Sequence, residues 1–369
     1  MSTDDLIVVG VGASAGGLEA LQELVKKLPD NDQVVYIIAQ HMSPTHKSMM
    51  VDLLQKHSGM KVKEATHGAS LQGGIIYITP PNKNIFVESD KILLKTPASD
   101  SILPKPSIDL LFNSIAYHHD KNAIGIILSG TGSDGSLGMK SIKAEGGITF
   151  VQDPQSAKYD SMPMASINDH SVDIISDPIG MGDELNDVFN FLQGISDIRP
   201  TQTPQSDLMM IMGILKQNIG VDFSNYKTNT INRRIQRRML ALRINKISEY
   251  VNYLQNNFEE SHFLYKDLLI GVTSFFRDID AFEKLKIELL NRIDDSDEVL
   301  RVWVVGCSTG EEAYSIAILI DQVLGGKSEN VIIFATDLDE DAISIARSGV
   351  YSASSVGNLP AELVKNYFN

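Results

Sequence analysis

The sequence predicts an α/β fold. Its first half reads as a doubly wound parallel sheet, followed by a small all-helical segment and the start of a second α/β sheet. Three observations predict this. Residues 6 to about 195 alternate short apolar runs with stretches of helical periodicity. Several runs, such as Gln33-Val-Val-Tyr-Ile-Ile-Ala39 and Ala123-Ile-Gly-Ile-Ile-Leu128, are apolar throughout, as suits parallel strands covered on both faces. Between Leu208 and Ile270 one helical pattern follows another, and strand signals return only at Leu300.

Taken in order, Leu6-Ile-Val-Val-Gly-Val-Gly-Ala-Ser-Ala-Gly-Gly17 is a strand, a glycine-rich turn carrying Ser14, and the start of a helix through Leu28. The second strand, ending at Ala39, runs into Gln40-His41-Met42. Further strands are expected at Gly74–Ile78, Ile85–Glu88, Lys91–Leu94 and Gly147–Val151, with helices at Ile108–His118 and Leu137–Glu145. The strand ending at Leu128 enters Ser129-Gly-Thr-Gly-Ser-Asp-Gly-Ser136, made almost wholly of turn-forming residues. Asp197 to Ser206, polar and with two prolines, reads as a linker. Helices follow at Leu208–Gln217, Thr230–Ile244, Ser248–Asn257 and Phe263–Ile270.

Composition narrows the function. A chain of 369 residues suggests two or three domains. One cysteine, Cys307, excludes an internal disulfide framework and fits a reducing cytosol. No apolar run approaches the ~18 residues of a membrane span, so a cytoplasmic protein without membrane insertion is expected. The net charge of −15 speaks against nucleic acid as a partner. No cluster has metal-ligand spacing, so no metal is expected.

The first glycine turn admits two readings. Gly12-x-Ser14-x-Gly16 has the spacing of a nucleophile elbow. Gly10-x-Gly12-x-x-x-Gly16 is also a loose dinucleotide-binding turn. A dinucleotide site needs an acid at the end of the second strand, but His41 stands there. Ser14, His41 and Asp134 each lie just past a strand's carboxyl end, on one rim of the sheet. The hydrolytic reading is therefore favoured: Ser14 as nucleophile, His41 as general base and acid, Asp134 as its orienting carboxylate. Backbone N–H groups after Ser14, at Ala15, would hold the oxyanion, helped by the Thr131-Gly132 turn. The order Ser…His…Asp departs from that of α/β-hydrolases. Taken singly, His41 is an ordinary strand-end histidine and Asp134 an ordinary turn aspartate.

Gly12-Ala-Ser-Ala-Gly-Gly17, Ala39-Gln-His-Met42, Ser129-Gly-Thr-Gly-Ser-Asp-Gly135, Glu145-Gly-Gly-Ile-Thr149, Gln152-Asp-Pro154 and Met162-Pro163 occur in order. Together they resemble the catalytic domain of chemotaxis protein-glutamate methylesterases (CheB). The resemblance implies a cofactor-free hydrolysis of glutamyl methyl esters on methyl-accepting chemoreceptors, with release of methanol, and in some members glutamine deamidation. The family's triad maps to Ser14, His41 and Asp134. Two positions depart from its pattern: Ala15 stands where a hydroxyl residue is usual, and Thr131 where methionine is common.

The second half carries a basic helix and another glycine turn. Arg233, Arg234, Arg237 and Arg238 fall on one helical arc, opposite Ile231, Ile235, Met239 and Leu242. The alternatives for this arc are a solvated face or a docking surface for an acidic partner. Leu300-Arg-Val-Trp-Val-Val305 leads into Gly306-Cys-Ser-Thr-Gly-Glu-Glu312 and a helix. Here no histidine follows His262, and Asp337 ends the next strand, where a Rossmann-like site keeps its ribose-binding acid. This loop is expected to meet a nucleoside, with Ser308 as a turn residue and Cys307 as a packing residue.

Tyr226-Lys, Arg233-Arg-Ile-Gln-Arg-Arg-Met239, Gly271-Val-Thr-Ser-Phe-Phe-Arg-Asp278, Gly306 to Tyr314 and Ala335-Thr-Asp-Leu-Asp339 resemble the chemotaxis receptor methyltransferases (CheR). This resemblance implies S-adenosylmethionine as methyl donor. Thr273, Arg277, Gly306, Gly310, Glu311, Glu312 and Asp337 map to the cofactor contacts, and the arginine helix to the receptor-facing side. Gly271 stands where some members carry a polar side chain. The domain reading is 1–195 for the esterase, 196–206 for the linker, 207–265 for the helical subdomain and 266–369 for the start of the methyltransferase domain. With two sheet strands in that last part, a fragment of a longer protein with an inactive methyltransferase half is expected. The alternative to an enzyme is a non-catalytic adaptor that binds receptors and chemotaxis signalling proteins.

Overall fold

The computed structural model describes residues 6–42, 49–97, 104–197, 205–292, 299–325, 330–357 and 359–368. Most of the expected linker lies outside them. The chain divides after Ile270 into two compact units.

The first unit opens with β1 (Ile7–Ala13), α1 (Gly17–Leu24), β2 (Val34–Gln40), α2 (Met50–Gln55), β3 (Lys61–Glu64) and β4 (Ile75–Ile78). A hairpin, β5 (Asn84–Glu88) and β6 (Lys91–Lys95), follows. The chain then continues through α3 (Ile108–His119), β7 (Ala123–Ile127), α4 (Ser136–Glu145), β8 (Ile148–Gln152), α5 (Ser161–Asn168), β9 (Ile174–Ser176) and α6 (Gly180–Asp197). Seven strands form one sheet in the order β3-β4-β2-β1-β7-β8-β9. Every pairing in it is parallel. The hairpin strands stand apart as an antiparallel pair.

Helices cover both faces, which is why the central strands are buried at every position. On one face Ile7, Val9, Val11 and Ala13 of β1 share a core with Leu21 and Leu24 of α1 and with Leu185 and Phe189 of α6. On the other face β1 offers Val8, then Gly10 and Gly12. A Cβ at Gly10 would lie 2.8 Å from a ring carbon of Phe112, and one at Gly12 would lie 2.4 Å from Cγ2 of Ile108. These two glycines lie inside the strand and let α3 approach it. They are not part of a phosphate-binding turn. Left-handed backbone first appears at Gly16, the N-cap of α1, at φ +70°.

Behind this layer come α7 (Gln205–Ile219), α8 (Thr228–Ala241), α9 (Ile247–Asn256) and α10 (Phe258–Leu269). They share a core that includes Ile211, Ile231, Ile235, Tyr250 and Leu264. The arginines of α8 are placed against expectation. Arg234 and Arg237 are buried, at 5% and 2% exposure. Arg234 donates to the carbonyl of Lys143 in α4. Arg237 bonds Asp173, beside β9, and Asp267 of α10. Arg238 makes a two-pronged pair with Glu260, at 2.9 and 2.6 Å. Arg233, the most open, lies 3.8 Å from Glu145. The expected receptor-facing surface is thus corrected. The acidic groups that this arc meets belong to the same chain, and periodicity cannot distinguish a neighbouring domain from solvent.

The second unit contains α11 (Ile279–Arg292), β10 (Leu300–Val305), α12 (Glu311–Leu324), β11 (Val331–Thr336), α13 (Glu340–Ser348), α14 (Ala353–Val356) and α15 (Ala361–Tyr367). Among the described residues its sheet is the parallel pair β10-β11. Leu300, Val302, Val331 and Ile333 pack with Leu289 of α11 and with Leu319 and Ile320 of α12. The opposite face leaves Trp303 and Val305 at 68% exposure and Phe334 at 53%.

Candidate active site

The strand order turns at β1. On one side lie β2, β4 and the edge strand β3, and the chain then returns to β1's other side with β7. Crevices for ligands form beyond the carboxyl ends of strands at such a point. Ser14 leaves β1 there, and its N–H donates to the carbonyl of Ser129, just past β7, at 3.0 Å. The register pairs Gly12 with Ala39 and Ala13 with Gln40, so the next residues, Ser14 and His41, emerge side by side. The His41 N–H donates to the carbonyl of Ala13 at 2.9 Å, extending that ladder.

The three expected residues meet. His41 Nδ1 lies 3.0 Å from Ser14 Oγ, and Nε2 lies 2.8 Å from Asp134 Oδ2. A carboxylate can only accept, so facing one Nε2 is the donor, and Nδ1 then turns its lone pair to the serine. The His41 side chain is 15% exposed and that of Asp134 3%. Access is therefore from the Ser14 side.

Asp134 is held at the N-terminus of α3. The N–H groups of Ile108 and Asp109 donate to it at 2.8 and 3.1 Å, and Ser107 Oγ lies 3.4 Å away. A helix N-terminus with free amides favours a carboxylate. No element near Asp134 in sequence foretells this.

The turn at Ser14 differs from an α/β-hydrolase elbow. Among non-glycine residues with positive φ, Ser308 appears at +48° and Ser14 does not. The strained backbone of a nucleophile elbow is absent at Ser14. Rigidity comes instead from polar ties. Gln40 is 8% exposed, and its Nε2 donates to the Ser14 carbonyl at 2.8 Å and to the His41 carbonyl at 3.2 Å. Ser129 Oγ donates to the Ala15 carbonyl at 2.9 Å. Gln40 and Ser129 sit in noted sequence segments, but their roles come from partners distant in the chain.

The Ser14 amide serves Ser129, and the Gly17 amide serves the Ser14 carbonyl at 2.9 Å. The amides of Ala15 and Gly16 have no acceptor among the described residues. Gly130 packs directly on the nucleophile, since a Cβ there would lie 2.8 Å from that of Ser14. Thr131 and Gly132, next along, are exposed.

In the second unit the loop after β10 is a true left-handed turn. Gly306, Ser308 and Gly310 have φ of +71°, +48° and +99°. Asp337, past β11, accepts from the Ser308 N–H at 2.7 Å and the Asp339 N–H at 2.9 Å. Glu311 is buried, accepting from Thr309 Oγ1 at 2.6 Å, while Glu312 is exposed. Thr273 is half-buried, and Arg277 is exposed and donates to the Val272 carbonyl. Their segment is tied to α12 by the Phe276 N–H, which donates to Ser315 Oγ at 2.9 Å. Cys307 is 1% exposed, and burial, then the Asp337 charge, push its thiol up. That suits packing better than reaction. Among the described residues no group of His, Cys, Asp and Glu could hold a metal ion, and no helix is long and apolar enough to cross a membrane.

Known proteins resemble the chain in the same segments. The family model of the CheB methylesterase matches residues 9–185. Those of the CheR methyltransferase all-alpha domain and SAM binding domain match 206–269 and 271–369. A Leptospira interrogans protein assigned as a protein-glutamate methylesterase/protein-glutamine glutaminase is 34% identical over 171 residues, 46% of this chain and 88% of that protein. The protein-glutamate methylesterase/protein-glutamine glutaminase of Photorhabdus laumondii is 35% identical over 181 residues, 48% of this chain and 51% of that one. An uncharacterized 104.1 kDa protein of Rhodobacter capsulatus, from the hypE 3′ region, is 30% identical over 347 residues, 86% of this chain and 36% of its own length. The chain thus spans about a third of the Rhodobacter protein and about half of the Photorhabdus one. The crystal structure of the Thermotoga maritima CheB methylesterase catalytic domain aligns at 26% identity with a TM-score of 0.46, over 49% of this chain and 97% of that one. The chain belongs to the CheB methylesterase family, and behind that domain it carries the all-alpha and SAM-binding domains of the CheR methyltransferases.

Proposed function

We propose that the first unit hydrolyses methyl esters of protein glutamates, on chemoreceptors, and releases methanol. One observation carries this reading: the unbroken line Ser14 Oγ, His41 Nδ1, His41 Nε2, Asp134 Oδ2, with contacts of 3.0 and 2.8 Å, opening on the nucleophile side. Ser14 Oγ attacks the ester carbonyl while His41 Nδ1 takes its proton. The amides of Ala15 and Gly16 receive the oxyanion. The imidazolium, stabilised by Asp134, protonates the departing methoxide as the C–O bond breaks, leaving an acyl-serine. Water, deprotonated by His41, then attacks that ester and frees the glutamate carboxylate and Ser14. With a glutamine side chain the same steps release ammonia.

In the second unit, the Gly306–Glu312 loop and Asp337 suit a nucleoside. No atom lies within 4 Å of a Cβ placed on Gly306, so the loop is open there. The Asp337 carboxylate fixes the turn and keeps lone pairs for ribose hydroxyls. S-adenosylmethionine bound there would supply an electrophilic methyl group, and Thr273 and Arg277 would help to hold it. The exposed apolar face of β10-β11 favours a second reading, in which this unit serves to bind a partner.

The deciding experiment incubates the chain with methyl-esterified receptor and measures methanol. Ser14→Ala is expected to abolish release. Unchanged release from this variant would refute the assignment.

A further inference from the structure

Two carboxyl groups, Asp109 and Asp134, are exchanged between two helices. Asp134 lies just before α4, yet it accepts the first amides of α3, those of Ile108 and Asp109. Asp109 lies in the first turn of α3, yet its Oδ1 accepts the amides of Gly135 and Gly138 at the start of α4, at 2.9 and 2.8 Å. Helix α4 has no side-chain cap of its own, because its N-cap is Gly135 at φ +99°. A side chain at Gly135 is excluded: its Cβ would lie 2.3 Å from Cδ1 of Ile127. Gly138 is likewise pressed against α3, where a Cβ would lie 2.4 Å from that of Phe112. Helix α4 therefore takes its side-chain cap from Asp109, while Asp134 adds to the cap that Ser107 Oγ already gives α3 through the Leu110 N–H.

We propose that Asp109 is a positioning residue of the hydrolytic site, a clasp that binds the Asp134 loop to α3 and so fixes the carboxylate on which His41 is oriented. Asp109 lies behind Asp134, away from Ser14 and His41; its carboxyl holds the Gly135 amide, one residue after Asp134, and its own N–H donates to Asp134. Its second oxygen, Oδ2, is buried and finds no donor. A carboxylate would leave that oxygen unpaired in a dry site, whereas a carboxylic acid can give its proton to a hydrogen bond with the neighbouring Asp134 carboxyl. Burial, then the Asp134 charge, push the Asp109 carboxyl well above the usual range. Asp134 is the titratable group that faces it among the described residues, through its charge and a side-chain hydrogen bond, and the Gly135 and Gly138 amides donate to the same carboxyl. Burial and the neighbouring carboxyl thus favour the neutral form of Asp109.

This inference rests on the hydrolytic reading, so its test includes a readout that needs no turnover. Asp109→Asn keeps the acceptor oxygen and puts an N–H₂ where the proton sits. It should retain methanol release within about threefold and leave the acid limb of the pH–rate profile in place. Asp109→Ala removes the clasp and should lower kcat about 10- to 100-fold with KM nearly constant, the scale of a misplaced catalytic group. Asp109→Ser caps a helix but cannot span to both amides, and it should fall between them. It serves as the test if the alanine variant does not fold. NMR titration of the His41 ring in full-length protein gives the independent readout. Asp109→Asn should leave the midpoint unmoved, because no charge is lost. If no variant and no wild type hydrolyse ester, the function fails while this titration still tests the clasp. A midpoint displaced by Asp109→Asn, or full kcat in the variants lacking the clasp, would overturn the proposal.

Discussion

Arg237 bonds Asp173 and Asp267 from one guanidinium, joining the esterase sheet to the last helix of the helical subdomain. Lys143 completes the group, 3.0 Å from Asp267 and 3.8 Å from Asp173. The four side chains are at most 6% exposed. Such a cluster tolerates deletion badly, because a lone charge is then left in a dry site. Arg237→Ala should destabilise the first unit by about 3–5 kcal/mol. Arg233→Ala, at a side chain 39% exposed, should change stability by about 0–1 kcal/mol. Urea titration followed by far-UV circular dichroism measures both. Equal midpoints for the two variants would show that the cluster does not join the domains.

The same cluster predicts acid lability. Burial alone would raise the Asp267 carboxyl, but the charges of Arg237, Lys143 and Arg238 outweigh it and hold the group at about 2. A carboxyl depressed in the folded state stabilises it at pH values above the unfolded pKa, ~3.9. That contribution declines as pH falls toward 2. Wild type should therefore exceed Asp267→Asn in melting temperature at neutral pH, with the gap closing between about pH 4 and pH 2. A gap independent of pH would assign the effect to packing instead.

Gly12 and Gly10 allow a contrast within one strand. Alanine at either site should cost about 1–3 kcal/mol through overpacking against α3. The activity effects should differ. Gly12 faces Ile108, whose N–H holds Asp134, whereas Gly10 faces Phe112 and Ile115, further along the helix. Gly12→Ala should lower kcat more than Gly10→Ala, and Ile108→Ala, which removes the Cγ2 that the new methyl meets, should restore part of it. Comparable kcat in the two alanine variants would show that α3 yields without moving Asp134.

These glycines also mark how far the sequence can be read. Apolar runs such as Val34–Gln40 reveal buried strands because both faces are covered, and strand ends place Ser14, His41 and Asp134 on one rim. The same pattern cannot tell a glycine that turns the chain from one that admits a helix, so β1 runs through two glycines expected in a turn. Lys61–Glu64 forms an edge strand too polar to reveal itself. Gln40 reaches the Ser14 carbonyl and Asp109 the Gly135 amide, each 26 residues away, so these roles need the fold. The arginine arc was legible as a charged face, but not the carboxylates that cover it.

The two serines in glycine turns provide the last test. Ser14 has ordinary backbone and a histidine 3.0 Å from its hydroxyl. Ser308 has a left-handed backbone, and its amide is bound by Asp337. If backbone strain marked the nucleophile, Ser308 would be the reactive residue. If a general base marks it, Ser14 is. Ser308→Ala should leave methanol release unchanged, since a serine without a base has no means of losing its proton in the transition state. Asp337→Ala should also leave methanol release unchanged while weakening any binding of S-adenosylmethionine measured by calorimetry, because it loosens the Gly306–Gly310 turn. Loss of hydrolysis in either variant would mean that the second unit takes part in the esterase reaction.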